Sequence, residues 1–197
     1  MIQKEFYLKD DVIQIAKDLL GKELLTNFDG KICSGYIVET EAYAGITDKA
    51  SHAYGGKFTK RTQTMYLEGG TCYVYLCYGI HSLFNIVTNV SGIPHAVLIR
   101  AVQPLKGIDT MFERRPQSKN VRNLANGPGS LSKALGISTF HNELKMSSNQ
   151  IWLEEGLNIK KKQIIASPRV GVAYAKEDAL LPYRFRIKDN PFCSLAK

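Results

Sequence analysis

The stretch Cys72-Tyr73-Val74-Tyr75-Leu76-Cys77-Tyr78-Gly79 constrains the chain more than any other. It reads as a strand over Thr71 to Cys77 that runs into a turn. Alternation puts Tyr73, Tyr75 and Cys77 on one face and Cys72, Val74 and Leu76 on the other. Tyr78-Gly79 breaks the strand, and Ile80 to Asn89 reads as the returning partner. A strand can hide two tyrosine rings in a core. The third ring, Tyr78, rides at the loop tip with nothing inside its own chain to pack against, and any fold for this chain has to account for it.

Around that hairpin the local signals alternate between helix and strand. Leu8 to Leu20 predicts a helix, with Asp10 and Asp11 in its first turn, an apolar stripe from Val12 to Leu20 and Gly21 as its stop. Lys22 to Thr26 and Lys31 to Ala42 predict strands joined at Asp29-Gly30, the strongest hairpin signal in the chain. From Tyr43 to Gly70 the pattern dissolves into a glycine- and lysine-containing segment, and a long irregular stretch inside a compact domain is usually functional. His95 to Val102 predicts a strand and Pro104 to Arg115 a helix. Asn126-Gly127-Pro128-Gly129-Ser130 leads into a short helix, Leu131 to Leu135, closed by Gly136. Further strands are expected at Ile151 to Leu153, Gln163 to Ala166 and Arg184 to Ile187, and Lys160-Lys161-Lys162 as a solvated turn. No repeat, low-complexity tract or linker interrupts the chain, so residues 1–197 are expected to form one domain.

Composition narrows the function classes. The net charge is +8, which on one domain points to an anionic partner, nucleic acid being the commonest. The chain has no apolar run of the roughly 20 residues that span a bilayer. Its first residues lack a basic region followed by an apolar one, so a cytoplasmic protein with no membrane association is expected. Cys33, Cys72, Cys77 and Cys193 form no C-x-x-C pair and accompany no H-E-x-x-H, so a zinc site is not expected, and no other metal or cofactor is expected either. Reduced thiols are the default in that compartment.

Glu39 and Glu41 stand two apart at the end of an apolar strand and so share a face. On an edge strand such a pair would be a solvated acidic face. Here the strand empties into the glycine-rich segment, where one carboxylate could serve as a general base towards a water. The motifs around it come in a particular order: Val38-Glu39-Thr40-Glu41-Ala42-Tyr43, Ser51-His52, Gly55-Gly56 with Thr59, Gly70 to Tyr75 with Tyr78-Gly79, Phe84-Asn85-Ile86, and Val97 to Ala101. Gly127-Pro128, Arg169-Val170-Gly171-Val172, Tyr183-Arg184-Phe185 and Asn190-Pro191-Phe192 extend the series. In order and spacing the chain resembles the alkyladenine (3-methyladenine) DNA glycosylase family. Its loop after Gly127-Pro128 departs from the relatives in bringing the lysine, Lys133, later.

The resemblance implies a mixed α/β (α+β) fold, a curved and mainly antiparallel sheet surrounded by helices. It implies a monomer acting on double-stranded DNA. The enzyme would flip alkylated or deaminated purines (3-methyladenine, 7-methylguanine, hypoxanthine, ethenoadenine) out of the duplex and hydrolyse the N-glycosidic bond. By the same resemblance Glu41 is the general base, and Arg100 positions Glu41 and its water. Tyr43, His52 and Tyr75 sandwich and edge-bind the base, Asn85 guards against normal guanine, and Tyr78 fills the hole left in the helix. Arg100, ending the strand Ala96 to Ile99, needs a partner if buried, and Glu41 is the natural one. Glu39 becomes the structural neighbour, while His81 carries no assigned role. No lysine occupies the catalytic motif, so hydrolysis without a Schiff base is expected. Two other classes compete. A lesion-binding module without cleavage would lack the base or the arginine, and a zinc deaminase would need Pro-Cys-x-x-Cys, which is absent.

Overall fold

The computed structural model describes residues 1–195. The chain folds as mixed α/β on one eight-stranded, curved and unclosed antiparallel sheet. In chain order the elements are α1 (Val12–Asp18), β1 (Glu23–Phe28), β2 (Lys31–Ala44), β3 (Cys72–Cys77), β4 (His81–Thr88), β5 (His95–Lys106), α2 (Ile108–Arg114), α3 (Pro128–Leu135), β6 (Ile151–Glu154), β7 (Ile164–Ser167) and β8 (Arg184–Ile187). The sheet runs β3-β4-β5-β2-β1-β6, and β8 joins β2 to β7. The long strand β2 is its spine. Its first half pairs with β1, its second half with β8, and β5 lies along its other edge.

Local chemistry explains most of these elements. Asp29 (φ 54°) and Gly30 (φ 76°) form the two-residue turn that pairs Phe28 with Lys31, because a tight hairpin needs positive φ at both central positions. In α1 the Asp11 side chain accepts the Gln14 N–H at 2.9 Å as N-cap. Val12, Ile15, Ala16 and Leu19 bury one face. The helix ends sooner than its apolar stripe suggests, since Gly21 (φ 86°) turns the chain where a side chain would strike the Leu157 carbonyl at 2.3 Å.

The expected helix from Pro104 is a correction. β5 continues to Lys106, and helix α2 begins only after Gly107, whose φ of 69° no helix interior accommodates. Pro104 itself sits opposite Gly35 beside a register shift, where a missing N–H costs no regular ladder bond. Helix α3, by contrast, starts three residues earlier than expected, with Pro128 in its first turn. The strand β2 likewise runs on through Tyr43 and Ala44.

The sheet has two differently covered faces. Cys72, Val74, Phe84, Ile86, Val97, Ile99 and Ala101 point to the main core with residues of α1, α2 and α3. Each such fully buried large side chain contributes about 1.5–3 kcal/mol. On the opposite face, Tyr73, Val87 and Ala96 pack with Ala53 and Met65 from the irregular segment 45–70. That segment is tied down by Asp48, which accepts the N–H groups of Ala44 and Ala50. The long irregular stretch is therefore a cover laid over one face of the sheet, and the space left beneath it is the candidate site. Among the described residues no helix is long and apolar enough to cross a membrane.

Candidate active site

A cavity of about 520 Å³ opens on this second face, and Glu41, Tyr43, His52, Tyr75, Tyr78, Asn85 and Arg100 all line it. Strand alternation delivers them. β2 contributes Glu41 and Tyr43, β3 Tyr75, β4 Asn85 and β5 Arg100, while His52 comes from the cover and Tyr78 from the β3–β4 turn.

Glu41 is fully buried at the floor. Its Oε2 accepts the Tyr43 hydroxyl at 2.8 Å, and its Oε1 accepts the Val170 N–H at 2.8 Å and faces Arg100 Nη1 at 3.2 Å. Three donors thus fix the carboxylate without closing it off from the cavity. Burial and the charge of Glu41 push the Tyr43 hydroxyl far above its ordinary range, so it stays a proton donor to that carboxylate.

The expected pairing of Arg100 is modified. Its shorter contact is Nε to Glu39 Oε1 at 2.7 Å, with Glu41 second. Register shifts around Glu39, where Ile37 faces Val102, Glu39 faces Ala101 and Thr40 faces Ile99, leave Val38 and Arg100 as extra residues. Such bulges re-aim side chains beside sites, and here Arg100 reaches both glutamates. Glu39 also accepts Arg184 Nε at 2.8 Å, the Ser194 N–H at 2.6 Å and the Ser194 hydroxyl at 2.9 Å. Burial would raise its pKa, but the Arg100 charge and these donors outweigh it and hold Glu39 below the ordinary carboxylate range. With three donors on Oε1 and the Ser194 N–H on Oε2, Glu39 is the anchor and Glu41 the carboxylate facing the cavity.

The walls are aromatic. The His52 and Tyr75 rings meet edge to face at 4.8 Å between centroids, and Tyr73 and Tyr75 lie 5.3 Å apart. His52 Nδ1 is 2.9 Å from the Tyr73 hydroxyl. Burial, and then the Arg61 charge, lower the His52 pKa to about 4, so the imidazole is neutral. Asn85 donates its amide N–H groups to the carbonyls of Tyr73 (3.1 Å) and Leu83 (3.4 Å), which locks the side chain. Behind Tyr43 stands Arg169, its guanidinium 4.8 Å from the ring centroid, paired with Asp48 and donating to the Ala42 carbonyl at 2.9 Å. At the rim Tyr78 is 90% exposed with φ of 50°.

Sequence reasoning missed several contributors: Arg61, the Arg169–Asp48 pair, the Val170 N–H, and the Arg184–Ser194 clamp on Glu39. Arg169 and Arg184 stood inside recognised motifs, but no local pattern shows a contact across more than a hundred residues. Among the described residues no group of three His, Cys, Asp or Glu side chains could hold a metal.

In amino-acid sequence the chain matches known proteins over almost its whole length. A family model described as Methylpurine-DNA glycosylase (MPG) matches residues 5–191. The match makes the chain a DNA glycosylase by class, a hydrolase of the N-glycosidic bond. A "Putative 3-methyladenine DNA glycosylase" of Chlamydia felis is 47% identical over 94% of this chain and 95% of its own. A protein of the same name from Clostridium perfringens (strain SM101 / Type A) is 42% identical over 97% of each. The chain belongs to the methylpurine-DNA glycosylase family.

Proposed function

We propose that the protein excises alkylated and deaminated purines from double-stranded DNA by flipping the damaged nucleotide into the 520 Å³ cavity. The observation that carries this reading is the buried, three-donor Glu41 carboxylate at the floor of an aromatic-walled space, with an exposed tyrosine at its mouth. A base held between Tyr43, His52 and Tyr75 would bring the C1′ of its deoxyribose towards Glu41. Glu41 would orient and deprotonate a water there, and its charge would stabilise the developing oxocarbenium ion. Arg100 keeps Glu41 in place. Tyr43 contributes twice, through its hydroxyl to Glu41 and its ring face to the base. The Asn85 amide, locked by the sheet, would crowd the exocyclic amine of normal guanine. The protein would work as a monomer and without a cofactor.

The test is excision from duplexes carrying single 3-methyladenine, hypoxanthine or ethenoadenine residues, scored as alkali-labile sites. Wild-type protein should cleave at the lesion. Glu41→Gln should lower the single-turnover rate by about 10²–10⁴-fold while binding the lesion duplex within a few-fold of wild type. Intact strands with every lesion would defeat the reading, and undiminished excision by the variant would move the base elsewhere.

A further inference from the structure

One charge in the cavity is left over. Glu39 and Glu41 face Arg100 and Arg184, and Asp48 faces Arg169, so each buried ionic cluster sums to zero. Arg61 lines the same cavity and has no carboxylate partner among the described residues. It is nevertheless seated against the walls. Its guanidinium carbon lies 4.7 Å from the Tyr75 ring centroid, and its Nη2 lies 3.3 Å from His52 Nε2. Arginine carries donors only, so this contact makes Nε2 the acceptor and places the imidazole proton on Nδ1, which donates to the Tyr73 oxygen. Burial together with the Arg61 charge keeps that imidazole neutral. One residue therefore occupies a face of the stacking ring and sets the tautomer of the histidine beside it.

We infer that Arg61 is a specificity-determining residue that biases the pocket against damaged purines bearing a positive ring charge and towards neutral ones. The inference rests on the glycosylase reading and deepens it. A tyrosine face attracts cations through its quadrupole. On Tyr75 that attraction is already taken up by a guanidinium, and a second cation brought into the cavity meets like charge at close range. Purines alkylated at N3 or N7 carry a positive charge in DNA, whereas deaminated and etheno-bridged purines are neutral. Because the Arg61 side chain is exposed, solvent screening and swinging of the side chain limit the discrimination to about tenfold.

The experiment compares single-turnover excision of 7-methylguanine, a cation, with that of hypoxanthine, a neutral base, in matched duplexes. Wild type, Arg61→Gln and Arg61→Lys are measured side by side, with thermal midpoints as the check on folding. The cationic-to-neutral rate ratio should rise about tenfold in Arg61→Gln and stay near wild type in Arg61→Lys, which keeps the charge. A ratio unmoved by Arg61→Gln, or moved equally by both variants, overturns the assignment while the glycosylase reading stands. A wild-type protein that excises neither base overturns the glycosylase reading, and this inference with it.

Discussion

Tyr78 adopts a left-handed backbone with its ring 90% exposed, followed by Gly79 at φ 73° in open space. The left-handed region costs a bulky L-residue about 1–2 kcal/mol, and an exposed ring returns nothing from burial. Its neighbours share the character, for Ile80 is 73% exposed and Leu76 49%. A strained, apolar tip beside a cavity is the kind of outlier from which a functional role is argued, and a ring that slides between base pairs is the role proposed for it. Tyr78→Gly should therefore separate stability from capture. The thermal midpoint should hold or rise by a few degrees, since glycine accepts positive φ without strain. Affinity for a lesion duplex should fall about tenfold or more, the value of one stacking contact. A lowered midpoint with intact binding would mean that the ring belongs to the fold. The tip was legible in the sequence because a turn signal follows an alternating strand directly. Arg61 was not, because Lys60-Arg61 in an irregular segment has no periodicity that says which way either side chain turns.

The strand β2 couples three partners through one carboxylate. Glu39 binds Arg100 of β5, Arg184 of β8 and Ser194 of the C-terminal segment, and the bulges at Val38 and Arg100 let these groups converge. Removing one member of a buried ion cluster typically costs about 3–5 kcal/mol, because the remaining charges lose their compensation. Glu39→Gln should accordingly lower the thermal midpoint by about 6–20 °C, and excision should fall with it as Arg100 loses its closer anchor. The sign of the pH dependence follows from the depressed pKa of Glu39. Its stabilisation is present above the ordinary carboxylate range and is lost as pH falls through the depressed value. Wild type should thus lose stability in acid that the variant no longer has, so the gap between them should narrow there. A variant as stable as wild type at neutral pH would show that the cluster sets geometry only. Single elements announced themselves in the sequence where one residue decides them, as at Asp29-Gly30, Asp11 or Gly136. The bulges and the overrun of β5 into the expected helix at Pro104 did not, since a register shift is a property of two strands. The Glu39–Ser194 and Asp48–Arg169 contacts depend on chain closure over 155 and 121 residues.

At the scale of the molecule, charge and ring act through different physics and can be told apart. Of the net +8 charge, several lysines are engaged at the surface, among them Lys4 with Glu68, Lys22 with Glu155 and Lys31 with Glu113. Lys49, Lys57 and Lys176 instead gather in a groove of about 500 Å³ whose wall includes His52 and Tyr174, both of which also line the base cavity. Cations so placed would track the phosphates on either side of a flipped nucleotide. Lys49 already holds Glu177, which leaves Lys57 the clearer probe. Phosphate contacts release counterions, so log affinity falls linearly with log salt by about 0.9 per phosphate neutralised. Lys57→Ala should reduce that slope by about one, for damaged and undamaged duplex alike. Tyr78→Gly should lower affinity for lesion duplex with the slope unchanged, because stacking releases no ions. The measurement is a salt titration of binding by fluorescence anisotropy for the three proteins. If Lys57→Ala leaves the slope intact, the duplex lies elsewhere, and the other candidate is the groove lined by Lys9, Lys17 and Lys161 beside Phe185. Phe185 pairs with Thr40, whose side chain bonds to α1, on the face turned away from Glu41. DNA seated there could not deliver a base to the carboxylate, so the salt slope of this one lysine variant also tests which face of the sheet meets the substrate.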